Sequence, residues 1–247
     1  MPHPKFTPTF HNAPYPRISP SDPRLSCSGK TVVVTGGGRG IGRAIAVNFA
    51  IAGANVFIIG RSEASLRDTV VELSELTASS PATSKPQFDY HAADASDQES
   101  VQSAIAAAVE TFGRIDVMVN NAGYLDSHRP ISSSDLKDYW TCYEVNVKAG
   151  VITVQEFLKI AKPGATFINV SSGAAHIPRI SNYSAYSSSK MAFARICEYV
   201  QGENEELRVF SIQPGSIETD MAKKARDLTP CDDISRFIPK VQCVIMS

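Results

Sequence analysis

The chain has 247 residues, 43% hydrophobic and 20% charged, with a formal net charge of -1; this is the make-up of an ordinary globular domain able to bury one sizeable core. So even a charge balance offers a polyanion no basic field, which argues against nucleic acid or an anionic membrane surface as the main partner, and the longest apolar runs fall far short of the ~20 residues a bilayer span needs. Five cysteines (Cys27, Cys142, Cys197, Cys231, Cys243) are odd in number, widely spaced and without a C-x-x-C pair, so neither a disulfide framework nor a zinc site is indicated and a reducing, cytoplasmic setting fits best.

Seven of the 15 prolines precede residue 24, so residues 1–26 read as a Pro-rich arm and residues 27–247 as a single folded domain. TVVVT (31–35) reads as a buried strand, followed by Ile41, Ala44, Ile45, Val47 and Ala50 at helical spacing until Gly53. NVFII (55–59) is the second strand, Ser62 caps a helix with Leu66, Val70 and Leu73 on one face, and residues 77–86 form a polar loop. QFDYH (87–91) is a weaker third strand, and Asp97 or Ser96 opens a helix that stops at Gly113 before IDVMV (115–119). A helix over about 135–160, the strand ATFINV (165–170), a helix from about Tyr183 to Val200 and the strand RVFSI (208–212) complete the pattern. Six strands in βα alternation require right-handed crossovers, hence an α/β, Rossmann-type doubly wound parallel sheet with helices on both faces.

In such sheets ligands sit beyond the carboxyl ends of the strands. After the first strand come Gly36, Gly37, Gly38, Arg39, Gly40, Ile41 and Gly42, where bare backbone amides at a helix N-terminus suit a pyrophosphate. Glycines alone fit a merely tight strand-to-helix turn as well. At the end of the second strand an acid would accept both ribose hydroxyls of NAD and repel the 2'-phosphate of NADP. Gly60 stands there instead, followed by Arg61 and Ser62, with Arg39 in the glycine loop. Two guanidiniums able to clamp a phosphate favour NADP(H) over NAD(H), although a solvated surface position is the commoner fate of an arginine.

Asn120-Asn121-Ala122-Gly123 after the fourth strand lets backbone pass close to a bound adenosine while the amides tie strand ends together. After the fifth come Ser171 and Ser172, and fourteen residues past Ser172 begins Tyr186-Ser187-Ser188-Ser189-Lys190. Four apart, Tyr186 and Lys190 share a helix face, so the ammonium can favour a phenolate and bring a phenol of pKa near 10 towards neutral pH. By periodicity alone such a pair is more often a packed aromatic beside a surface charge. Tyr183 has Ser187 four residues on and suits a pocket wall instead; His176 reads as an exposed loop residue; Tyr139, Trp140 and Tyr143 read as core or subunit contact. The five histidines have no ligand spacing and no HExxH occurs, so no metal is indicated.

Taken together and in this order, the glycine loop, NNAG, the upstream serine and YSSSK resemble the classical short-chain dehydrogenase/reductase family over about residues 29–222. The resemblance implies an oxidoreductase that moves hydride between a nicotinamide cofactor and a carbonyl or secondary alcohol of a small molecule. It implies Tyr186 as general acid/base, Lys190 as the residue that lowers its pKa and holds the nicotinamide ribose, Ser172 as the substrate-orienting hydroxyl, and Asn146 as anchor of a proton-relay water. It further implies Asp94 at the adenine amino group, with Ile217 and Thr219 gripping the carboxamide. The Pro-rich arm and general style resemble fungal members of secondary metabolism.

The sequence departs from the family after Thr219, where only 28 residues remain, closing with SRFIPKVQCVIMS. A shortened last helix and no seventh strand are expected, which makes the family's usual homo-oligomer doubtful here. The alternative function is therefore a catalytically impaired nucleotide-binding or interaction protein.

Overall fold

A computed structural model describes residues 15–78, 85–176, 180–215 and 217–228. Six strands, β1 (Thr31–Thr35), β2 (Asn55–Gly60), β3 (Phe88–Ala92), β4 (Val117–Asn120), β5 (Thr166–Val170) and β6 (Arg208–Ile212), pair in parallel in the order β3-β2-β1-β4-β5-β6. This is the single-domain Rossmann order, with the topological switch between β1 and β4.

Period-2 alternation explains why the strands read as unbroken apolar runs. Val33, Phe57, Ile59, Met118 and Phe167 point to one face, under α3 (Gln98–Phe112), α5 (Ala149–Leu158) and α6 (Ser184–Glu203). Val32, Val34, Val56, Ile58 and Val119 point to the other, under α1 (Gly40–Ile51) and α2 (Glu63–Thr77). Both faces are covered, so neither side of a central strand meets water. Local punctuation behaves as its chemistry demands: Ser62 Oγ accepts from Ser65 N, Asp97 caps α3 by accepting from Ser100 N, and Gly113 ends α3 at φ +73. Cys27 N donates to the Ala52 carbonyl at 2.7 Å, hooking the segment before β1 onto the end of α1.

The expected 135–160 helix is interrupted. α4 (Leu136–Tyr143) and α5 are joined by a π turn at Glu144–Lys148, one extra residue per turn that re-aims Asn146 inward. Trp140 is 54% exposed and lies outside the core; Cys142 is the buried residue of α4. The expectations about a last helix and a seventh strand concern residues 229–247, which lie outside the described residues. Among the described residues no helix is long and apolar enough to cross a membrane.

Candidate active site

One cavity of about 1370 Å³ runs along the carboxyl ends of the strands, from the glycine loop to the start of α6. Its nucleotide end is built by backbone. Gly36 (φ +67) and Gly40 (φ +54) occupy left-handed conformations, and the N-terminus of α1, preceded by Arg39, has no side-chain cap. Gly36, Gly38, Gly40 and Ile41 line the wall, so helix amides and the positive end of the dipole face the cavity. A dinucleotide fits this cradle: it supplies the acceptors that an uncapped helix start wants. The buried Ser171 Oγ, on the same wall and without a hydrogen-bond partner among the described residues, is a further polar atom a ligand can satisfy.

Gly42 is placed differently from the other glycines. It does not line the cavity: a Cβ there would sit 2.1 Å from the Gly36 carbonyl oxygen and 2.6 Å from Asn121 Nδ2. Its close approach lets α1 dock against the glycine loop and Asn121. Asn121 Nδ2 donates to the Thr35 carbonyl at 3.0 Å, while the Asn121 and Ala122 amides both donate to Thr35 Oγ1. The NNAG segment thus stitches β4 to β1 across the switch point. On the adenosine side Arg61, Ser62 and Asp94 line the rim. Asp94 Oδ1 accepts from Ser96 N and Oγ, and these bonds hold its carboxyl below the usual range. Arg39 is spoken for by Asp220 at 3.6 Å, so the two arginines do not face each other as an unopposed clamp.

At the other end the start of α6 brings Tyr186 and Lys190 to the same wall as Ser172, which follows β5. Ser172 is hydrogen-bonded with Tyr186, and Lys190 Nζ lies 6.0 Å from the Tyr186 ring centroid while donating to the Val170 carbonyl at 3.0 Å. Burial pushes the Tyr186 phenol above its ordinary value, with the Ser172 bond opposing, and pulls the Lys190 ammonium down to about 8. The phenol is raised where the four-residue spacing suggests that a lysine would lower it, because desolvation is the largest influence on both groups. Asn146 stands behind the wall rather than on it. Its Oδ1 accepts from Tyr124 N at 2.8 Å, and its Nδ2 donates to the Tyr124 carbonyl and to Ser189 Oγ. Gly123 stands beside both groups: a Cβ there would lie at ordinary contact distance, 3.4 Å from Asn146 Oδ1 and 3.5 Å from Lys190 Nζ. Ile217 and Thr219 line the cavity opposite.

Beside Leu125, which lines the cavity, stands a network of side chains from separate parts of the chain. Tyr124 Oη donates to Asp138 Oδ1 at 2.6 Å, Ser127 donates to the same carboxylate, and Lys224 Nζ from α7 (Asp220–Leu228) donates to the Leu125 carbonyl above the Tyr124 ring. No local pattern announces these, since their partners are far apart in sequence. Tyr183 is buried in the wall, edge-on to Tyr186, and its ring lies 3.9 Å from that of His128. His176 is exposed.

Burial beside Tyr183, with the Lys224 charge adding to it and Asp138 opposing, lowers His128 to about 4. Above pH 6.5 the imidazole is neutral folded or unfolded; between 6.5 and about 4 only the unfolded chain takes the proton, so stability falls with pH across that window. Urea titrations at pH 7 and 4.5 should show a loss on the order of 2 kcal/mol attributable to this group, absent from His128→Phe. An identical pH dependence in the variant would remove His128 from the account.

The fold and this cavity define a dinucleotide-binding α/β oxidoreductase. The chain belongs to the short chain dehydrogenase family, whose model matches residues 30–229. It is 35% identical over 222 residues to the short chain dehydrogenase pigC of Monascus ruber, covering 87% of this chain and 71% of that one. Among solved structures it is similar to an alcohol dehydrogenase from Thermococcus sibiricus complexed with 5-hydroxy-NADP (TM-score 0.71, 30% identity, 77% of each chain). It is also similar to a 7α-hydroxysteroid dehydrogenase complexed with NADH and 7-oxo glycochenodeoxycholic acid (TM-score 0.72, 28% identity, 81% of this chain and 76% of that one).

Proposed function

We propose that this chain is an NADP(H)-dependent reductase or dehydrogenase acting on a carbonyl or secondary alcohol of a small molecule, with Tyr186 as general acid/base. The observation that carries the reading is the convergence of Ser172, Tyr186 and Lys190 on a cavity whose other end is a glycine cradle. Gly36, Gly38, Gly40 and Ile41 would receive the pyrophosphate, Asp94 and Asn121 the adenosine, Ile217 and Thr219 the carboxamide. The nicotinamide, when bound, supplies or accepts the hydride. The rest falls to the chain. Ser172 orients the substrate oxygen, and Tyr186 gives it a proton in reduction or takes one in oxidation. Lys190 holds the ribose and, through the Asn146 region, connects the phenol to water. Burial raises the Tyr186 phenol, so at neutral pH it holds the proton that reduction of a carbonyl requires.

The NADP(H) preference rests on Gly60 where an acid would read NAD, and on Arg39, Arg61 and Ser62 at the same rim. One similar solved structure is complexed with 5-hydroxy-NADP and another with NADH, so the choice falls to these residues. NADPH is expected to bind about tenfold or more tightly than NADH, the worth of one charge-assisted hydrogen bond. Added salt should narrow the gap, and Gly60→Asp with Arg61→Ala should invert it. NADH bound equally well in a fluorescence titration would refute the arginine argument.

We also read residues 1–26 as an arm outside a domain of residues 27–247, the setting as cytoplasmic, and the role as secondary metabolism, for which the fungal relative gives support by likeness only.

A further inference from the structure

We infer that Asp220 is a built-in competitor for the phosphate-reading arginine, and so a further determinant of cofactor choice; this rests on the NADP(H) reading above. Arg39 Nη1 lies 3.6 Å from Asp220 Oδ2, and both residues line the cavity that Arg61 and Ser62 also line. The position of the carboxylate is set by backbone. Asp220 is the first residue of α7, and Thr219 caps that helix, its Oγ1 accepting from Ala222 N at 3.1 Å. The Thr219 methyl lies 3.4 Å from where a Cβ on Gly40 would stand, which seats the start of α7 against the glycine loop. Lys224 fastens the next turn to the Leu125 carbonyl at 2.5 Å. Asp220 is therefore held over Arg39 by contacts on both sides of it.

A guanidinium presents five N–H donors, and Asp220 faces the Nη1 end at 3.6 Å. A phosphate taken by Arg39 therefore either displaces that carboxylate or sits beside an anion that repels it. NADH, which brings no 2'-phosphate to this rim, escapes both costs. The side chains are 75% and 76% exposed, and an exposed pair of this kind is weak enough to be displaced. The penalty on NADPH is accordingly modest, about three- to fivefold.

Cofactor affinities of the full chain, measured by fluorescence titration at low salt, test this. Asp220→Asn should bind NADPH about three- to fivefold tighter, with NADH little changed. Asp220→Glu, which keeps the charge, should behave as the parent. In an Arg39→Ala background the gain should vanish. If Arg39→Ala weakens NADPH but Asp220→Asn does not tighten it, the competitor is refuted and the phosphate reading stands. If Arg39→Ala and Arg61→Ala both leave NADPH binding intact, the reading itself fails and takes the competitor with it. Equal tightening of NADH, or a gain in Asp220→Glu, would show that charge against a phosphate is not the cause.

Discussion

Tyr186→Phe is expected to lower turnover by ~10²–10⁴-fold, the usual worth of a general acid, while NADPH binds within about twofold of the parent. The reasoning is geometric. The ring lies in the wall edge-on to Tyr183, 6.3 Å between centroids, so phenylalanine keeps that packing. What disappears is the one oxygen hydrogen-bonded with Ser172 and able to pass a proton to a substrate oxygen. A loss confined to kcat is the signature of an interaction made in the transition state. Ser172→Ala should be milder, because it removes an orienting hydroxyl and leaves the acid. Initial rates and a cofactor titration on the same preparation decide the matter; activity above about a tenth of the parent in Tyr186→Phe would remove it from the acid/base role.

Gly42→Ala is expected to be the most damaging Gly→Ala change among the described residues. Its Cβ would stand 2.1 Å from the Gly36 carbonyl oxygen and 2.6 Å from Asn121 Nδ2, and neither neighbour can retreat. Gly36 is fixed by its amide, which donates to the Ile59 carbonyl at 2.7 Å, and Asn121 by its bond to Thr35. Alanine must push α1 away from β1 and drag the glycine loop with it, costing at or beyond the upper end of the ~1–3 kcal/mol typical of overpacking. Against a total of ~5–15 kcal/mol, that threatens the fold as well as the cradle. Gly113→Ala, where nothing lies within 4 Å of the new Cβ and only φ +73 opposes it, should cost about 1 kcal/mol. Urea unfolding of both variants, with NADPH titration, checks the order. A Gly42→Ala protein as stable as Gly113→Ala and binding cofactor normally would contradict it.

These two residues mark how far a sequence can be read. Tyr186, Lys190 and Ser172 were legible because their spacing is local and their chemistry distinctive. Gly42 was legible only as one glycine among several: that it faces the Gly36 carbonyl, while Gly36, Gly38 and Gly40 face the cavity, depends on how α1 docks. Strand ends followed the same rule. β1 and β6 match their apolar runs residue for residue, whereas β3 starts one residue late and β4 two, because their limits come from pairing with β2 and β1. The π turn before Ala149 leaves the apolar pattern intact on both sides and so hides within it. α7 gives a short signal, with DMAKKARDL setting Met221, Ala225 and Leu228 at helical spacing over nine residues, but its fastenings, Asp220 to Arg39 and Lys224 to Leu125, join distant parts of the chain and have no local pattern.

The most direct test of hydride transfer at this site uses NADPH deuterated at C4 of the nicotinamide, a panel of ketones, and mass spectrometry of the alcohols formed. The account predicts one deuterium on the carbinol carbon of a product made by the parent chain, and ~10²–10⁴-fold less of it from Tyr186→Phe in the same time. Cofactor bound but no labelled alcohol from any ketone, or equal labelling by both proteins, would contradict it.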